Sequence, residues 1–324
     1  MNDKVYPGID KAFSDQALKL FRHQAINNPV YNQFLKLLDA HMDNISSILE
    51  IPFLPISLFK THAIKTGSWQ EKKIFLSSGT TGQVRSKHYI KDVSKYLKNT
   101  QYGFTKFYGN IEDWTILAYL PGYSENTSSS LIEMMAYFID ITRQNGSKFI
   151  PFNQADLLNC LLNCKLHNKK TLLIGVSHAL IDFVEKYQIS FPELILMETG
   201  GMKGLKEELT KMDLHTLLKT GFGLSHVHSE YGMTELLSQA YSKGEGIYEC
   251  SDTLRILIKD PTDPLEVLTA NRNGVINIID LANEDSCAFI ATEDLGRVAI
   301  DGSFELLGRL DVADLRGCNL LFYS

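Results

Sequence analysis

Between residues 74 and 197, short apolar runs alternate with amphipathic segments, and this alternation constrains the fold more than any other feature of the sequence. The runs end in turns that contain glycine or proline, as buried strands do, and the segments between them repeat apolar residues at helical spacing. Strands that alternate with helices favour a doubly wound α/β sheet. The predicted strands are 74–76, 114–120, 171–176 and 193–197, and the predicted helices are 93–108, 128–141, 157–166 and 179–187.

Two further stretches flank this region. Residues 15–38 form a predicted helical stretch that Pro29 interrupts. After Gly244 the pattern changes to short β runs broken by Asp, Asn, Gly and Pro, at 255–258, 266–268, 274–279 and 297–300. We therefore predict an α/β core, a smaller β subdomain and a short terminal segment, with the boundaries 1–243, 244–309 and 310–324.

Charge and composition exclude several classes of protein. The chain has 32 basic and 38 acidic residues and a net charge of -6, which does not suit a surface that binds a nucleic-acid backbone. No apolar run approaches the roughly 20 residues that cross a bilayer, and the first residues lack the apolar centre of a secretory signal. Five scattered cysteines, an odd number, favour reduced thiols and a cytoplasmic location. We expect no nucleic-acid partner and no membrane span.

The strongest local signal is the segment 77–87, which reads Ser-Ser-Gly-Thr-Thr-Gly-Gln-Val-Arg-Ser-Lys after a predicted strand. Its glycines let the backbone bend and expose N–H groups, and its hydroxyls and its lysine can bind polyphosphate beside them. It is not a Walker loop, because no Gly-Lys-Ser/Thr closes it. On composition alone a solvated polar turn is equally open. The candidate phosphate-binding residues are Ser77, Ser78, Gly79, Thr80, Thr81 and Gly82, with Lys87 as a candidate catalytic cation.

A second segment, 229–235, places an aromatic residue, a glycine, a hydroxyl and a carboxylate within five positions. Tyr231 can stack on a flat ring, and Thr234 can donate to a phosphate or carboxylate oxygen. Glu235 can hold a magnesium ion that bridges phosphates. The alternative is an ordinary strand-to-helix turn in which Ser229 or Thr234 is the cap.

Two more segments could contact a ligand. Gly200 and Gly201 follow a buried strand, and paired glycines there permit a close approach of the backbone to a ligand, although a tight turn is the simpler interpretation. Asp294 could accept from both hydroxyls of a ribose, with Gly308 and Arg309 following it in the chain. The alternative there is a β-turn with a salt-bridged arginine.

Taken in this order, these segments resemble the motifs of the adenylate-forming enzymes. Residues 77–87 are similar to the phosphate loop of that superfamily, and Gly200-Gly201 is similar to its adenine-contacting turn. Residues 231–235 match its Tyr-Gly-x-Thr-Glu motif. Several motifs in the right order are far more specific than any one of them, and the resemblance covers nearly the whole chain.

The remaining motifs carry the resemblance to the end of the chain. Asp294 stands where the superfamily has its ribose-binding aspartate, and 308–311, which includes the candidate ATP-binding Arg309, resembles the hinge before its mobile lid. The resemblance implies an adenylation core with doubly wound sheets and a small β subdomain. Because only residues 310–324 follow Arg309, and none of them is lysine, we expect the C-terminal lid and its catalytic lysine to be strongly reduced or absent.

Within the superfamily, the chain resembles the acyl-protein synthetases of bacterial bioluminescence, which are related to phenylacetate–coenzyme A ligase. Residues 198–204, 230–239 and 315–321 carry this likeness. It implies ATP-dependent activation of a carboxylic acid, with ATP and Mg2+ as cofactors. It also implies transfer of the acyl group to a thiol, for which Cys318 is the candidate, and then to an acyl-reductase partner. A carrier protein or coenzyme A is the other possible acceptor.

Several alternatives remain open. Cys318 can also be an inert buried thiol, and no residue pattern separates long-chain, short-chain and aryl acids. Ser177-His178 follows a strand and could serve an acyl hydrolase, although the glycine that closes a nucleophile elbow is missing. His226 and His228 could bind a metal, but no further ligand is suitably spaced. A non-catalytic nucleotide-binding subunit of an acyl-reductase complex is the last alternative.

Overall fold

The computed structural model describes residues 6–78, 84–124, 126–200 and 209–310. The helices are α1 (Lys11–Asn27), α2 (Pro29–Leu37), α3 (Leu58–Thr61), α4 (Val93–Tyr108), α5 (Ser130–Ile141), α6 (Gln154–Leu166), α7 (Ser177–Lys186) and α8 (Lys211–Phe222). The strands are β1 (Leu54–Pro55), β2 (Lys73–Leu76), β3 (Lys87–Ile90), β4 (Thr115–Tyr119), β5 (Lys148–Phe149), β6 (Thr171–Val176), β7 (Ile195–Thr199), β8 (His228–Tyr231), β9 (Ala240–Ser242), β10 (Ile247–Cys250), β11 (Leu254–Lys259), β12 (Gly274–Asp280), β13 (Phe289–Val298) and β14 (Phe304–Arg309). Short 3-10 turns span Met42–Asn44, Ile48–Glu50 and Ile111–Asp113.

The chain forms two compact units, one of residues 71–251 and one of residues 6–70 with 252–310. The boundaries expected from the sequence, 1–243 and 244–309, group the N-terminal helices differently. These helices belong with the C-terminal residues because α1 is hydrogen-bonded to the connection between β12 and β13. The amide nitrogen of Gln24 donates to the carbonyl of Asn283 at 2.8 Å, and its amide oxygen accepts from the N–H of Ala288 at 2.9 Å.

In the unit of residues 71–251, β5, β4, β6, β7 and β8 form a parallel sheet, and β9 and β10 extend it in antiparallel pairing. Apolar residues of α6, α7 and α8 pack on one face, and those of α4 and α5 pack on the other. Helices on both faces of a parallel sheet make the unit doubly wound, so the predicted fold class is confirmed. The pair β2–β3 forms a separate hairpin in the same unit.

Local signals explain where several elements begin and end. Helix α4 has the predicted bounds because Asp92 caps the N–H of Ser94 and Gly109 ends the helix at φ +79°. Strand β6 also has the predicted bounds. Strand β7 lies two residues later than predicted, because the N–H of Leu194 is bonded in a turn to the carbonyl of Phe191. Its last residues, Glu198 and Thr199, are therefore buried strand residues rather than the start of a turn.

The other unit contains an antiparallel sheet in the order β11, β12, β13, β14, with β1 parallel to β13. Helices α1 and α2 cover it, with Phe21 packed edge-on against Phe289 at 5.9 Å between ring centroids. One sequence-based prediction is wrong here, since the predicted strand 266–268 is reduced to a single bridge between Lys259 and Val267. The alternative interpretation of the region around Asp294 as a β-turn is also not met, because this region belongs to the ten-residue strand β13.

Candidate active site

The carboxyl ends of β6, β7 and β8 lie side by side, since Val176 pairs with Thr199 and Thr199 pairs with Glu230 in parallel register. Ser177, Gly200 and Tyr231 stand at this edge. Open α/β sheets bind their ligands outside the carboxyl ends of the strands. The structure thus brings together two motifs that are far apart in sequence, the Gly200 turn and the Tyr231 segment. Gly200 has a φ of +74°, which a residue without a side chain adopts readily.

The predicted phosphate loop lies between β2 and β3 in the chain, and its described residues are 77, 78 and 84–87. Its base is closed by Ser77, whose N–H donates to the carbonyl of Ser86 at 3.1 Å and whose Oγ accepts from the N–H of Ser86 at 2.9 Å. Arg85 donates from Nε to the carbonyl of Ser77. Ser78 and Lys87 are exposed. The hydroxyl of Ser77 therefore joins the two ends of the segment, while Ser78 and Lys87 are exposed to solvent.

A histidine just beyond the phosphate loop anchors the Tyr-Gly-Met-Thr-Glu segment. Buried His88 donates from Nδ1 to the carbonyl of Thr234 at 2.8 Å. Asn99 of α4 donates to the carbonyl of Leu237 at 2.8 Å on the far side of the same segment. The hairpin and the segment that carries Thr234 are thus bonded to each other.

The side chains of this segment differ in exposure. Tyr231 is 7% exposed and packs edge-on against Tyr248, with 6.1 Å between ring centroids, and Glu235 is 4% exposed. Thr234 is half-buried. Mg2+ commonly takes one or two protein carboxylates and completes its shell with phosphate and water. The carboxylate of Glu235 is a ligand of this kind, and it stays the predicted metal ligand.

Behind the Gly200 turn lies a fully buried carboxylate, Glu198. It accepts from Ser177 Oγ at 3.0 Å and from Lys211 Nζ, and His215 Nε2 lies 3.6 Å away. Burial would raise the pKa of Glu198, but the hydrogen bond from His215 and the charge of Lys211 outweigh it, and Lys211 and Ser229 also donate to it. The net effect lowers the pKa to about 2. Glu198 is therefore ionised at neutral pH.

A second buried carboxyl, Glu230, has the opposite state. It accepts from Thr199 Oγ1 at 2.6 Å, and its charge raises the pKa values of Tyr96, Tyr108 and Tyr241. Burial raises the pKa of Glu230 to about 7 and outweighs the hydrogen bond from Thr199. Much of this group is therefore protonated at neutral pH.

In the other unit, Asp294 and Arg309 are paired across β13 and β14, with Arg309 Nε donating to Asp294 Oδ1 at 3.0 Å. Asp294 is largely buried, and its N–H donates to Thr292 Oγ1 at 3.0 Å. The salt-bridged arginine expected as the alternative is present, within a strand pair. The pair also orients the carboxylate, as a ribose-binding group requires.

A family model described as "Acyl-protein synthetase, LuxE" matches residues 6–323. The chain belongs to the LuxE family. This membership confirms the resemblance drawn from the motifs. No curated protein matches the chain in sequence.

Several solved structures are similar in fold to this LuxE-family chain. A 2-hydroxyisobutyryl-CoA ligase with 2-HIB-AMP and CoA has a TM-score of 0.69 and 14% identity, over 94% of this chain and 68% of that one. ATP-bound MatB from Rhodopseudomonas palustris has a TM-score of 0.54 and 15% identity, over 73% of this chain and 47% of that one. MenE, the O-succinylbenzoate coenzyme A synthetase of Bacillus subtilis, in complex with ATP and magnesium ion, has a TM-score of 0.50 and 18% identity, over 73% of this chain and 49% of that one. The matches to MatB and MenE span about half the length of those proteins.

Some predicted residues of this LuxE-family chain lie outside the described residues. They are Gly79, Thr80, Thr81, Gly82, Gly201 and Cys318.

The residues that hold the motifs in place were not predicted from the sequence. The missed residues are His88, Glu198, Lys211, Glu230 and Tyr248. Only Glu198 and Glu230 stood within quoted motifs, and their burial depends on partners that are distant in sequence.

Two alternative sites gain no support in this LuxE-family structure. Ser177 is 1% exposed, and its hydroxyl donates to Glu198, which favours a structural role over that of a hydrolase nucleophile. His228 is held by burial at a pKa of about 4, and Tyr108 Oη lies 3.2 Å from its Nδ1. Within the described ranges, no three His, Cys, Asp or Glu side chains converge as a metal site requires. Nor is any described helix long and apolar enough to span a bilayer.

Proposed function

We propose that this chain activates a carboxylic acid, specifically a fatty acid, as an acyl-adenylate and then transfers the acyl group to a thiol. The observation that carries the proposal is the match of the LuxE family model to residues 6–323 on the fold of the adenylate-forming ligases. The fatty-acid class comes from the resemblance to the bioluminescence branch. We also propose a cytoplasmic location, in keeping with the four free thiols among the described residues.

The adenylation step needs binding, orientation and charge neutralisation. A carboxylate oxygen forms a bond to the α-phosphorus of ATP, the bond to the β-phosphate oxygen breaks, and pyrophosphate leaves. In our proposal Gly200 and Tyr231 contact the adenine, Asp294 and Arg309 bind the ribose, and the 77–82 loop with Lys87 contacts the phosphates. Thr234 donates to an oxygen of the reacting group, which places a dipole where charge develops. A Mg2+ ion held by Glu235 would neutralise phosphate charge, as in other phosphoryl-transfer sites.

The second step needs a reactive thiolate. It attacks the carbonyl carbon of the acyl-adenylate, a thioester bond forms, and AMP leaves. Among the described thiols, burial raises the pKa of Cys287 to about 12 and also raises the pKa of Cys164, so both are poor nucleophiles at neutral pH. We propose Cys318 as the acceptor, with an acyl reductase as the next partner. A carrier protein or coenzyme A is the alternative.

Exchange of labelled pyrophosphate into ATP, measured across a panel of short, long and aryl acids, tests the adenylation step. We expect exchange that depends on the acid and is fastest with fatty acids. Thr234→Val should reduce it strongly, whereas Thr220→Val, an exposed threonine of α8 that bonds only within its helix, should not. If the protein binds ATP but no acid gives exchange, adenylation is rejected in favour of a non-catalytic nucleotide-binding subunit.

A further inference from the structure

The buried carboxylate Glu198 is the centre of a polar network that reaches both predicted adenine contacts. On one side, Ser177 Oγ lies 3.0 Å from Glu198 Oε2 and 3.2 Å from the carbonyl oxygen of Gly200. Its single proton is thus shared between the carboxylate and the turn. The hydroxyl connects an ionised, immobile group directly to the first peptide of that turn.

On the other side, the network continues through Lys211, the first residue of α8. Its ammonium donates to Glu198 and, at 3.1 Å, to the hydroxyl of Tyr248, whose ring packs edge-on against Tyr231. Apart from the lysine, whose side chain is 37% exposed, every polar member of the network is buried. The carbonyl of Gly200 and the ring of Tyr231 are therefore both held by one network, which consists of Ser177, Glu198, Lys211 and Tyr248.

The energetics of such a network favour a role in geometry. A buried ion pair adds little net stability, because desolvation offsets the attraction between the charges. What it does supply is orientation, since a charged hydrogen bond to a buried carboxylate permits few alternative arrangements. The groups that it orients are those at the edge where Gly200 and Tyr231 lie.

We propose that Ser177 is a positioning residue that, together with Glu198 and Lys211, sets the preference of the site for adenine over guanine. This inference rests on the proposed function. A carbonyl oxygen has two lone pairs, so the Gly200 carbonyl can accept from Ser177 and from a base at the same time. Adenine presents an amino donor at position 6, whereas guanine presents a carbonyl there. If the Gly200 carbonyl is held in one orientation, it accepts a hydrogen bond from the amino group of adenine. With guanine it faces another carbonyl and makes no hydrogen bond to the base.

The test is calorimetric binding of ATP and of GTP to the whole protein, without an acid. In Ser177→Ala we expect the ratio of the two dissociation constants to fall about tenfold, the size of one hydrogen bond. With exchange as the readout, the KM for ATP should rise more than kcat falls. An unchanged ratio in folded Ser177→Ala overturns the proposal.

The matched control is Thr171→Val. Thr171 is also fully buried, and its hydroxyl donates to a backbone carbonyl, that of Lys169 at 2.8 Å. It begins β6, whereas Ser177 follows the other end of that strand. It should lower stability without changing the ATP-to-GTP ratio. An equal loss of selectivity in both variants would show a merely structural role and overturn the proposal.

Three further outcomes are separable. If Ser177→Ala does not fold, Tyr248→Phe removes only the hydroxyl that accepts from Lys211. A wild-type ratio in that variant then overturns the proposal. If the wild-type protein prefers ATP and the variants lose that preference, but no acid supports exchange, the positioning role stands and the proposed function falls. If the wild-type protein binds both nucleotides equally, the positioning role falls.

Discussion

At the scale of single residues, two carboxyls on neighbouring strands have opposite ionisation because their surroundings differ. Glu198 pairs with Ser229 in the β7–β8 register, and Glu230 pairs with Thr199, so the two side chains point to opposite faces of the sheet. Glu198 meets a lysine, a histidine and two hydroxyls. Glu230 is fully buried, accepts a hydrogen bond from one hydroxyl, that of Thr199, and is repelled by the charge of Glu198. At neutral pH the same residue type is therefore charged on one face and partly protonated on the other.

This difference predicts how stability depends on pH. The pKa of Glu230 is raised from 4.5 to about 7 in the folded protein, so the folded state holds a proton that the unfolded state releases. The free energy of unfolding therefore falls as pH rises from about 4.5 to about 7, by about 3 kcal/mol from this group. Glu230→Gln should remove that decline. Urea unfolding of both proteins at pH 5, 6, 7 and 8 measures it.

Glu198→Gln is the matched control, because the folded-state pKa of Glu198 is lowered to about 2. Its contribution to stability is complete above about pH 4.5 and is lost only as pH falls below that value. The variant should be less stable than the wild type across pH 5 to 8 and should keep most of the decline, which is somewhat smaller because the charge of Glu198 also helps to raise the pKa of Glu230. A wild-type pH slope in Glu230→Gln would show that Glu230 is ionised throughout this range.

The glycine of the Tyr-Gly-Met-Thr-Glu segment is explained by the same carboxyl. A methyl group at Gly232 would overlap Oε1 of Glu230, whereas its contact with Cγ of Gln239, at 3.6 Å, would be ordinary. We expect Gly232→Ala to lower the free energy of unfolding by about 1–3 kcal/mol, as overpacking does. In a Glu230→Ala background that loss should largely disappear. Equal losses in both backgrounds, in urea unfolding, would mean that the glycine is needed for another reason.

At the scale of elements, the sequence predicts those parts of the fold that depend on local signals. Helix α4 and strand β6 have their predicted bounds, because a capping residue, a terminal glycine or an unbroken apolar run defines them. Of strand β13 only the end was predicted, as part of the run 297–300, because its earlier polar residues find partners in neighbouring strands, as when Thr292 Oγ1 donates to the carbonyl of Ile276 at 2.7 Å. Such pairing between distant segments leaves no periodic trace in the chain.

The bond between His88 of β3 and the Thr234 carbonyl ties two elements of the site together, and it gives a prediction at this scale. His88→Ala should reduce kcat for pyrophosphate exchange about tenfold to a hundredfold, because the segment with Thr234 loses a buried donor worth about 1–3 kcal/mol. His88→Asn, which offers a donor at a similar position, should recover part of the rate. Full activity in His88→Ala would contradict a role for this bond in catalysis.

At the scale of the whole molecule, the motifs predicted which segments form the candidate site, and the structure shows what holds them. Gly200 and Tyr231 meet at one sheet edge because β7 and β8 are neighbours in parallel register, a consequence of the doubly wound topology that the alternation of elements predicted. The residues behind them, such as Lys211 and Tyr248, could not be predicted. Each comes from an element whose position relative to Glu198 is set only by the folded sheet.

The proposed reaction has two separable steps, and a variant of the acceptor should separate them. In Cys318→Ser, pyrophosphate exchange should continue at the wild-type rate, because adenylation uses no thiol. Stable labelling of the protein by a radioactive acid and ATP should be lost, because a serine hydroxyl is a far poorer nucleophile than a thiolate. In the wild type, hydroxylamine should release the label. Cys160→Ser, a half-buried thiol of α6, is the control and should keep both activities. Label that persists in Cys318→Ser would assign the acceptor to another group, and exchange lost together with the label would place Cys318 in the adenylation site itself.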